Sequence, residues 1–240
     1  MNYPIFFEAK NSLKLFSLKE NFRFISDLYS NHNLPKVLML TGNKGSGKST
    51  QIDLLHHFLS EKGLSVVRTL EPGGTPTGQA LRALLLDPKT RLNNPLTELF
   101  LFTADRLEHL SSIILPALAN QQIVLCDRYI DSTRAYQKGG RQLPEDLVTA
   151  CTQVTARVPD LTFLFDLSPE IALKRAKNRA ELDRFEQESI DFHARIRAEY
   201  LRIAETSKDR VIVLSCESMI AEDVFELVKE KMIGVLGLEV

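Results

Sequence analysis

Residues 36–50 read KVLMLTGNKGSGKST, an apolar run followed at once by a loop rich in glycine. From Gly42 to Ser49 the loop satisfies the pattern GxxxxGK[ST], between a candidate strand and a candidate helix, as the pattern requires. Glycines let backbone amides turn towards phosphate oxygens, and the following helix presents a partly positive N-terminus. We therefore predict a triphosphate-binding loop in which Lys48 spans the β- and γ-phosphates and Ser49 ligates Mg²⁺. The predicted ATP-binding residues are Gly42, Asn43, Lys44, Gly45, Ser46, Gly47, Lys48, Ser49 and Thr50.

Short aliphatic runs recur along the chain, each about as long as a strand that is buried on both faces. They occupy residues 36–41, 64–70, 122–126, 162–167 and 210–215. The segments between them have helical periodicity. Strands that alternate with helices predict an α/β fold of the P-loop NTPase type, with a five-stranded parallel sheet flanked by helices. Ligands of such sheets bind beyond the carboxyl ends of the strands, so the loops after the first four runs should meet at one site.

The overall charge and the cysteines limit the partners and the compartment of this chain. Among 240 residues, 30 basic side chains balance 31 acidic ones, so no net field recruits nucleic acid or an anionic membrane. No segment approaches the ~20 apolar residues of a membrane span. Cys126, Cys151 and Cys216 are isolated, without a CxxC pair, which argues for a reducing compartment and against a zinc site. We expect a cytoplasmic protein with no nucleic-acid or membrane partner.

The chain divides into two predicted parts. Residues 36–240 contain all the strand-like runs and form the predicted P-loop domain. Residues 1–35 precede the first run and include Phe16, Phe22 and Phe24, for which we predict an N-terminal helical extension.

Asp127 ends the apolar run VLCD, at the carboxyl end of a predicted strand. An acid at this position holds Mg²⁺ directly or through water in related nucleotide-binding folds. The alternative is a surface ion pair with the neighbouring Arg128. The expected convergence of loops at this edge favours the metal role for Asp127, beside Ser49.

Five further segments resemble the thymidylate kinase family, in family order, over about residues 36–230. They are EPGGT at 71–75, LRALL at 81–85, LFTADR at 101–106, DRYIDSTRAYQ at 127–137 and RAELDRFEQES at 179–189. The resemblance implies a nucleoside monophosphate kinase that transfers the γ-phosphoryl group of MgATP to dTMP. It also implies a mobile lid, at about residues 174–189, and a homodimer formed through helices.

The resemblance also implies roles for the acceptor-binding residues. Arg82 and Arg128 would clamp the 5′-phosphate, for which guanidinium groups are well shaped. Phe102 would stack on the thymine ring, and Arg106 would reach a ring carbonyl. The predicted dTMP-binding residues are Glu71, Arg82, Phe102, Arg106, Arg128, Ser132, Thr133, Tyr136 and Gln137.

The basic segment of the predicted lid supplies the remaining expected charge. Phosphoryl transfer is catalysed mainly by positioning and charge stabilisation. Since Gly45 and Ser46 stand where the phosphate loop could carry an arginine, the resemblance assigns this duty to the lid. We expect Arg179 and Arg184 to reach the transferring phosphate when the lid closes. The predicted catalytic set is therefore Lys48, Arg128, Arg179 and Arg184.

Two loop positions depart from the family pattern. Thr41 and Lys44 stand where the family usually has acids, and an ammonium group can neither accept a hydroxyl hydrogen bond nor ligate a cation. Residues 10–60 also resemble the ATPase subunits of bacterial clamp loaders. Two alternatives follow: a catalytically weakened nucleotide-binding module on a kinase fold, or a kinase for another nucleoside monophosphate.

Overall fold

The computed structural model describes residues 36–155, 157–178 and 181–236. These residues form a five-stranded parallel sheet in the order β2-β3-β1-β4-β5. The strands are Val37–Gly42 (β1), Val66–Leu70 (β2), Ile123–Asp127 (β3), Leu161–Asp166 (β4) and Val211–Ser215 (β5). The predicted strands and the parallel α/β fold are thus confirmed. The predicted helical extension at 1–35 lies outside the described residues.

Strand β1 occupies the centre of the sheet because both of its faces are apolar. All six of its residues are buried. It pairs with β3, where Met39 lies opposite Cys126, and with β4, where Leu40 lies opposite Phe163. The glycine-rich loop therefore emerges from the middle of the sheet, at its carboxyl edge.

Helices cover both faces of the sheet. None of the described helices combines the length and the apolar character that crossing a membrane requires. The helices are Lys48–Glu61 (α1), Pro76–Leu86 (α2), Pro95–His109 (α3), Leu115–Ala119 (α4), Ile130–Thr133 (α5), Glu145–Gln153 (α6), Pro169–Lys177 (α7), Ile190–Thr206 (α8) and Ala221–Leu236 (α9). Two segments are π-helical: Leu110–Ile114, directly after α3, and Arg134–Gly140, directly after α5.

Neighbouring residues of β4 point into different parts of the core. Phe163 belongs to a buried cluster with Leu55 of α1 and Val228 of α9. Leu164 belongs to a second cluster, with Ile196 and other side chains of α8. Full burial of such a side chain contributes about 1.5–3 kcal/mol. These contacts hold α1 and α8 in place, and both helices carry site residues at the carboxyl edge of the sheet.

Candidate active site

The loop between β1 and α1 depends on glycine at three positions. Gly42, Gly45 and Gly47 have φ of +134°, +92° and +92°, a backbone region that L side chains rarely adopt. A Cβ atom on Gly42 would overlap the carbonyl oxygen of Phe165, and one on Gly45 would lie 2.8 Å from that of Ala172. The loop therefore packs its backbone directly against β4 and α7. Gly47 is the N-cap of α1, so the helix begins where the loop ends.

Lys48, the first residue of α1, folds back under the loop. Its ammonium group donates to the carbonyl oxygens of Asn43, at 2.9 Å, and Gly42, at 3.4 Å. The residue is 6% exposed. A charged nitrogen is thus held inside the loop curve, where the phosphates of a nucleotide would lie.

Asp127 ends β3 beside this loop. Its Oδ1 atom is buried and has no hydrogen-bond partner among the described residues. Its backbone oxygen accepts a hydrogen bond from the amide of Glu71 at 2.9 Å, which ties the end of β3 to the turn after β2. A buried carboxylate oxygen left without a partner is costly, and a hard cation would satisfy it.

A buried network joins that turn to α3. Glu71 accepts from the Nε of Arg106 at 2.9 Å, and its other oxygen lies 2.8 Å from Nδ1 of His109. The Nε2 atom of His109 lies 2.6 Å from the hydroxyl of Thr69. His109 was not among the sequence predictions. The sequence signal for it was its position three residues after Arg106, which places both side chains on the same face of α3.

Asp105 holds the same turn from a second point. Its Oδ1 atom accepts from the amide of Gly73 at 3.0 Å. Burial, and then the nearby charge of Glu71, raises the pKa of Asp105 to about 6. Asp105 and His109 lie one helical turn apart, so the EPGG segment is fixed against a single face of α3.

Arg82 and Arg128 come from different elements and face the same space. Arg82 donates to the carbonyl of Pro72 at 2.7 Å. Arg128 has a left-handed backbone, donates to the hydroxyl of Tyr200 at 3.3 Å and lies over the ring of Tyr136 at 5.2 Å. Burial, and then the charge of Arg128, lowers the pKa of Arg82. Two guanidinium groups that repel each other in a cavity form a suitable site for an anion.

The far end of the cavity combines an aromatic wall with polar groups. Arg106 donates to the hydroxyl of Thr133 at 2.6 Å, while its NH1 atom is buried without a partner among the described residues. Gln137 donates its amide to Glu98 at 2.8 Å, which fixes the orientation of that amide. The ring of Phe102 contacts Phe185, with centroids 5.9 Å apart. A flat ring bounded by donors is what a planar heterocycle with carbonyl groups requires.

One cavity collects most of the predicted residues. All of the predicted dTMP-binding residues line it, together with both predicted metal ligands and most of the loop. Gly42 and Ser46 complete the loop behind this lining. The predicted residues that line the cavity are Asn43, Lys44, Gly45, Gly47, Lys48, Ser49, Thr50, Glu71, Arg82, Phe102, Arg106, Asp127, Arg128, Ser132, Thr133, Tyr136 and Gln137.

Arg184 forms an ion pair with a buried acid of α3. Its NH1 atom is 2.8 Å from a carboxylate oxygen of Glu98, and its Nε donates to the carbonyl of Leu85 at 2.8 Å. It is not part of the lining of the cavity. The reason is the buried acid on α3, which also binds Arg141 at 3.1 Å and draws a guanidinium group towards it. In this arrangement Arg184 contacts Glu98 and Leu85, and its approach to the transferring phosphate when the lid closes stays a prediction. Arg179 lies outside the described residues.

Thr41 and Lys44, the two positions that depart from the family pattern, both contact polar side chains from distant parts of the sequence. Thr41 is buried and donates to the hydroxyl of Tyr200 at 2.9 Å, which donates to Ser132 at 2.9 Å. Burial raises the pKa of Tyr200 to about 12, so its hydroxyl keeps its proton at neutral pH. Lys44 points out of the loop towards two acids beyond α7.

His193 of α8 lines the cavity and is a second histidine that the sequence predictions missed. It is buried, and its Nε2 atom has no hydrogen-bond partner in the described part of the chain. Burial lowers its pKa, so the ring is neutral near pH 7. Its neighbours Phe192 and Ile196 are buried apolar residues of α8, and their helical spacing indicates packing and gives no sign of a polar site.

A glycine-rich phosphate loop that shares one cavity with an arginine pair and an aromatic, donor-bounded pocket defines a P-loop nucleotide kinase. The family model described as thymidylate kinase matches residues 40–228. The chain belongs to the thymidylate kinase family.

Curated relatives and a solved structure agree with this assignment. The thymidylate kinase of Desulfosudis oleivorans is 43% identical over 77% of this chain and 91% of its own length. That of Solidesulfovibrio magneticus is 45% identical over 82% and 96%. The crystal structure of thymidylate kinase from Ehrlichia chaffeensis matches with a TM-score of 0.67 at 32% identity, covering 82% of this chain and 98% of that one. The resemblance drawn from the five motifs is confirmed.

Proposed function

We propose that this protein transfers the γ-phosphoryl group of ATP to the 5′-phosphate of dTMP, giving dTDP and ADP. An oxygen of the acceptor phosphate forms the new bond to the γ-phosphorus as the bond to the β–γ bridging oxygen breaks. The observation that carries the proposal is the shared cavity, in which Lys48 and the loop face Arg82 and Arg128. Family membership supports ATP and dTMP as the substrates.

The donor is held by the loop and α1. Loop amides and the N-terminus of α1 bind phosphate oxygens, and Lys48 holds the β- and γ-phosphates. Ser49 and Asp127 would hold Mg²⁺, since they supply oxygen ligands and the Asp127 Oδ1 atom has its bonding capacity open. When bound, Mg²⁺ neutralises charge on the phosphate oxygens.

The acceptor is held at the opposite side of the cavity. Arg82 and Arg128 clamp its phosphate, and Phe102 stacks on the base. The buried NH1 of Arg106 donates to a ring carbonyl, which favours thymine over cytosine because cytosine carries an amino group at the corresponding position. Thr133, whose oxygen already accepts from Arg106, keeps its proton for a second acceptor.

Charge on the transferring group is balanced by Lys48 and Arg128, with Arg179 as the proposed contribution of the lid. For Arg184 we propose an anchoring role beside the predicted contact with the phosphate. Its bonds to Glu98 and to the end of α2 anchor the segment before α8. That the lid moves remains a prediction.

The proposed oligomer is a homodimer formed through α2 and α3. These helices pack against each other and expose large apolar side chains: Leu84, Phe100 and Leu107 are 44%, 54% and 39% exposed. A Phe100→Glu variant should become monomeric by light scattering, whereas Ile220→Glu, at an exposed apolar position before α9, should not. The cysteines Cys126, Cys151 and Cys216 are buried and free, which suits the proposed cytoplasmic location.

The decisive experiment measures ADP release with dTMP, dUMP, dGMP, AMP or no acceptor. Release stimulated by dTMP supports the proposal. ATP binding without any stimulated release would support the weakened nucleotide-binding module, and a purine preference would support a kinase for another acceptor.

A further inference from the structure

Lys44 links the phosphate loop to a turn that follows α7. Its ammonium nitrogen lies 3.0 Å from Asp183 and 2.9 Å from Glu186. The Lys44 side chain is 48% exposed, while those of Asp183 and Glu186 are 17% and 5% exposed. We call residues 183–186 the acidic turn. Lys44 and Asp183 are 139 residues apart in the sequence, so only the tertiary fold brings them together.

The acidic turn is ordered by its own hydrogen bonds. Asp183 accepts from the amides of Phe185, at 3.0 Å, and Glu186, at 2.9 Å. Glu186 in return accepts from the amide of Asp183 at 2.9 Å, with the same oxygen that binds Lys44. Both carboxylates are thus held in place by the backbone, and Lys44 meets a preformed site.

The acidic turn also supports the acceptor wall. Phe185, between the two acids, lies against Phe102 at 5.9 Å and against Tyr136 at 5.5 Å. Aromatic pairs at these separations favour defined geometries. A shift of the turn would therefore move the ring on which the base is proposed to stack.

We propose that Lys44 is a positioning residue that couples the donor site to the acceptor site. Through the acidic turn and Phe185, the loop that binds ATP sets the position of Phe102 and Tyr136. This inference rests on the proposed function and extends it to a residue that departs from the family pattern. By reciprocity, a donor that orders the loop tightens dTMP binding, and dTMP tightens donor binding by the same factor.

The sign of the charge at position 44 follows from the same contacts. An acid at this position would face Asp183 and Glu186 at close range and repel both. Lysine is therefore matched to the acidic turn of this chain. An acid restored at position 44 alone should push the turn away from the loop.

The experiment compares Lys44→Arg, Lys44→Met and Lys44→Glu with the wild type. It measures KM for dTMP, kcat, and the dissociation constant of dTMP by calorimetry with and without a non-hydrolysable ATP analogue. The wild type should bind dTMP more tightly with the analogue. Lys44→Met should raise the KM for dTMP by roughly threefold to fivefold, the size expected of a partly exposed ion pair, and remove the effect of the analogue. Lys44→Arg should retain the wild-type KM for dTMP and the effect of the analogue. Lys44→Glu should raise the KM for dTMP more than Lys44→Met does.

Lys208→Met is the matched control, because Lys208 is exposed before β5, at the opposite edge of the parallel sheet from the site. It should behave like the wild type. Unchanged dTMP binding and unchanged analogue effect in both Lys44→Met and Lys44→Glu would overturn the coupling role, as would tighter dTMP binding in Lys44→Glu. Either result would leave the proposed function intact, provided that the wild type phosphorylates dTMP. A wild type that neither binds nor phosphorylates dTMP would overturn the proposed function as well.

Discussion

The Nδ1 atom of His109 lies 2.8 Å from Oε1 of Glu71, and the two residues are 0% and 4% exposed. Because a carboxylate only accepts, Nδ1 carries the proton and Nε2 faces the hydroxyl of Thr69. Glu71 also accepts from Arg106. Glu71, the first residue of the EPGG turn, is thus fixed through both carboxylate oxygens, one by Arg106 and one by His109. The sequence of the turn does not indicate the contact with His109.

Replacing His109 by alanine should cost both stability and acceptor binding. The change leaves a buried carboxylate oxygen and the hydroxyl of Thr69 with one partner fewer, and an unpaired buried polar group costs about 1–3 kcal/mol. The free energy of unfolding in urea should fall by that amount, and the KM for dTMP should rise. His109→Gln, which can still donate to Glu71, should recover part of both losses. His57→Ala, on the exposed surface of α1, should change neither.

Replacing Arg184 by alanine tests whether this residue anchors the protein through Glu98 or contacts the transferring phosphate. The change removes one partner of the buried carboxylate of Glu98, so the free energy of unfolding should fall by about 1–3 kcal/mol. The loss should not be larger, because Glu98 keeps its contacts with Arg141 and Gln137. The KM for dTMP should rise, because the segment before α8 loses its anchor. A fall in kcat of about 10³-fold with no change in stability would instead support the predicted contact of Arg184 with the transferring phosphate. Arg134→Ala, which breaks a more exposed pair with Glu145, should leave the free energy of unfolding close to that of the wild type.

Asp105 should make stability depend on pH in the acidic range. Its pKa is about 6 in the folded protein, against an ordinary value of 3.8. The folded state therefore binds this proton more tightly than the unfolded state, so the contribution is full below about pH 4 and is lost as the pH rises through about 6. Asp105→Asn removes this loss, and its advantage over the wild type in urea unfolding should grow between about pH 4 and about pH 7. An advantage that is constant with pH would contradict the raised pKa.

Gly45→Ala should abolish ATP binding while the rest of the fold survives. The new Cβ atom would lie 2.8 Å from the carbonyl oxygen of Ala172, at a φ of +92°. The loop must then move away from α7, and its amides lose their common focus on the phosphates. Calorimetric titration with ATP measures the loss. Gly234→Ala, where no atom lies within 4 Å of the added Cβ, should bind ATP like the wild type.

Much of this site could be predicted because the information is local. The loop from Gly42 to Ser49 is a contiguous motif, and each apolar run marks a strand within about two residues of its observed bounds. Parallel strands end at one edge, so residues that follow the strands had to converge. Arg82, Phe102, Arg106 and Gln137 lie on neighbouring helices rather than at strand ends, and there the order of family motifs supplied the prediction.

The pairings of charges could not be predicted, because each joins residues that are distant in sequence. His109 meets Glu71, Arg184 meets Glu98, and Lys44 meets Asp183 only after the helices have packed on the sheet. The composition of a basic segment does not show whether one of its arginines binds a phosphate or a buried acid. The sequence by itself determined the loop, the sheet and the residue types around the cavity. Tertiary packing decided which charges compensate each other, because a buried charge is stable only beside the partner that the fold brings to it.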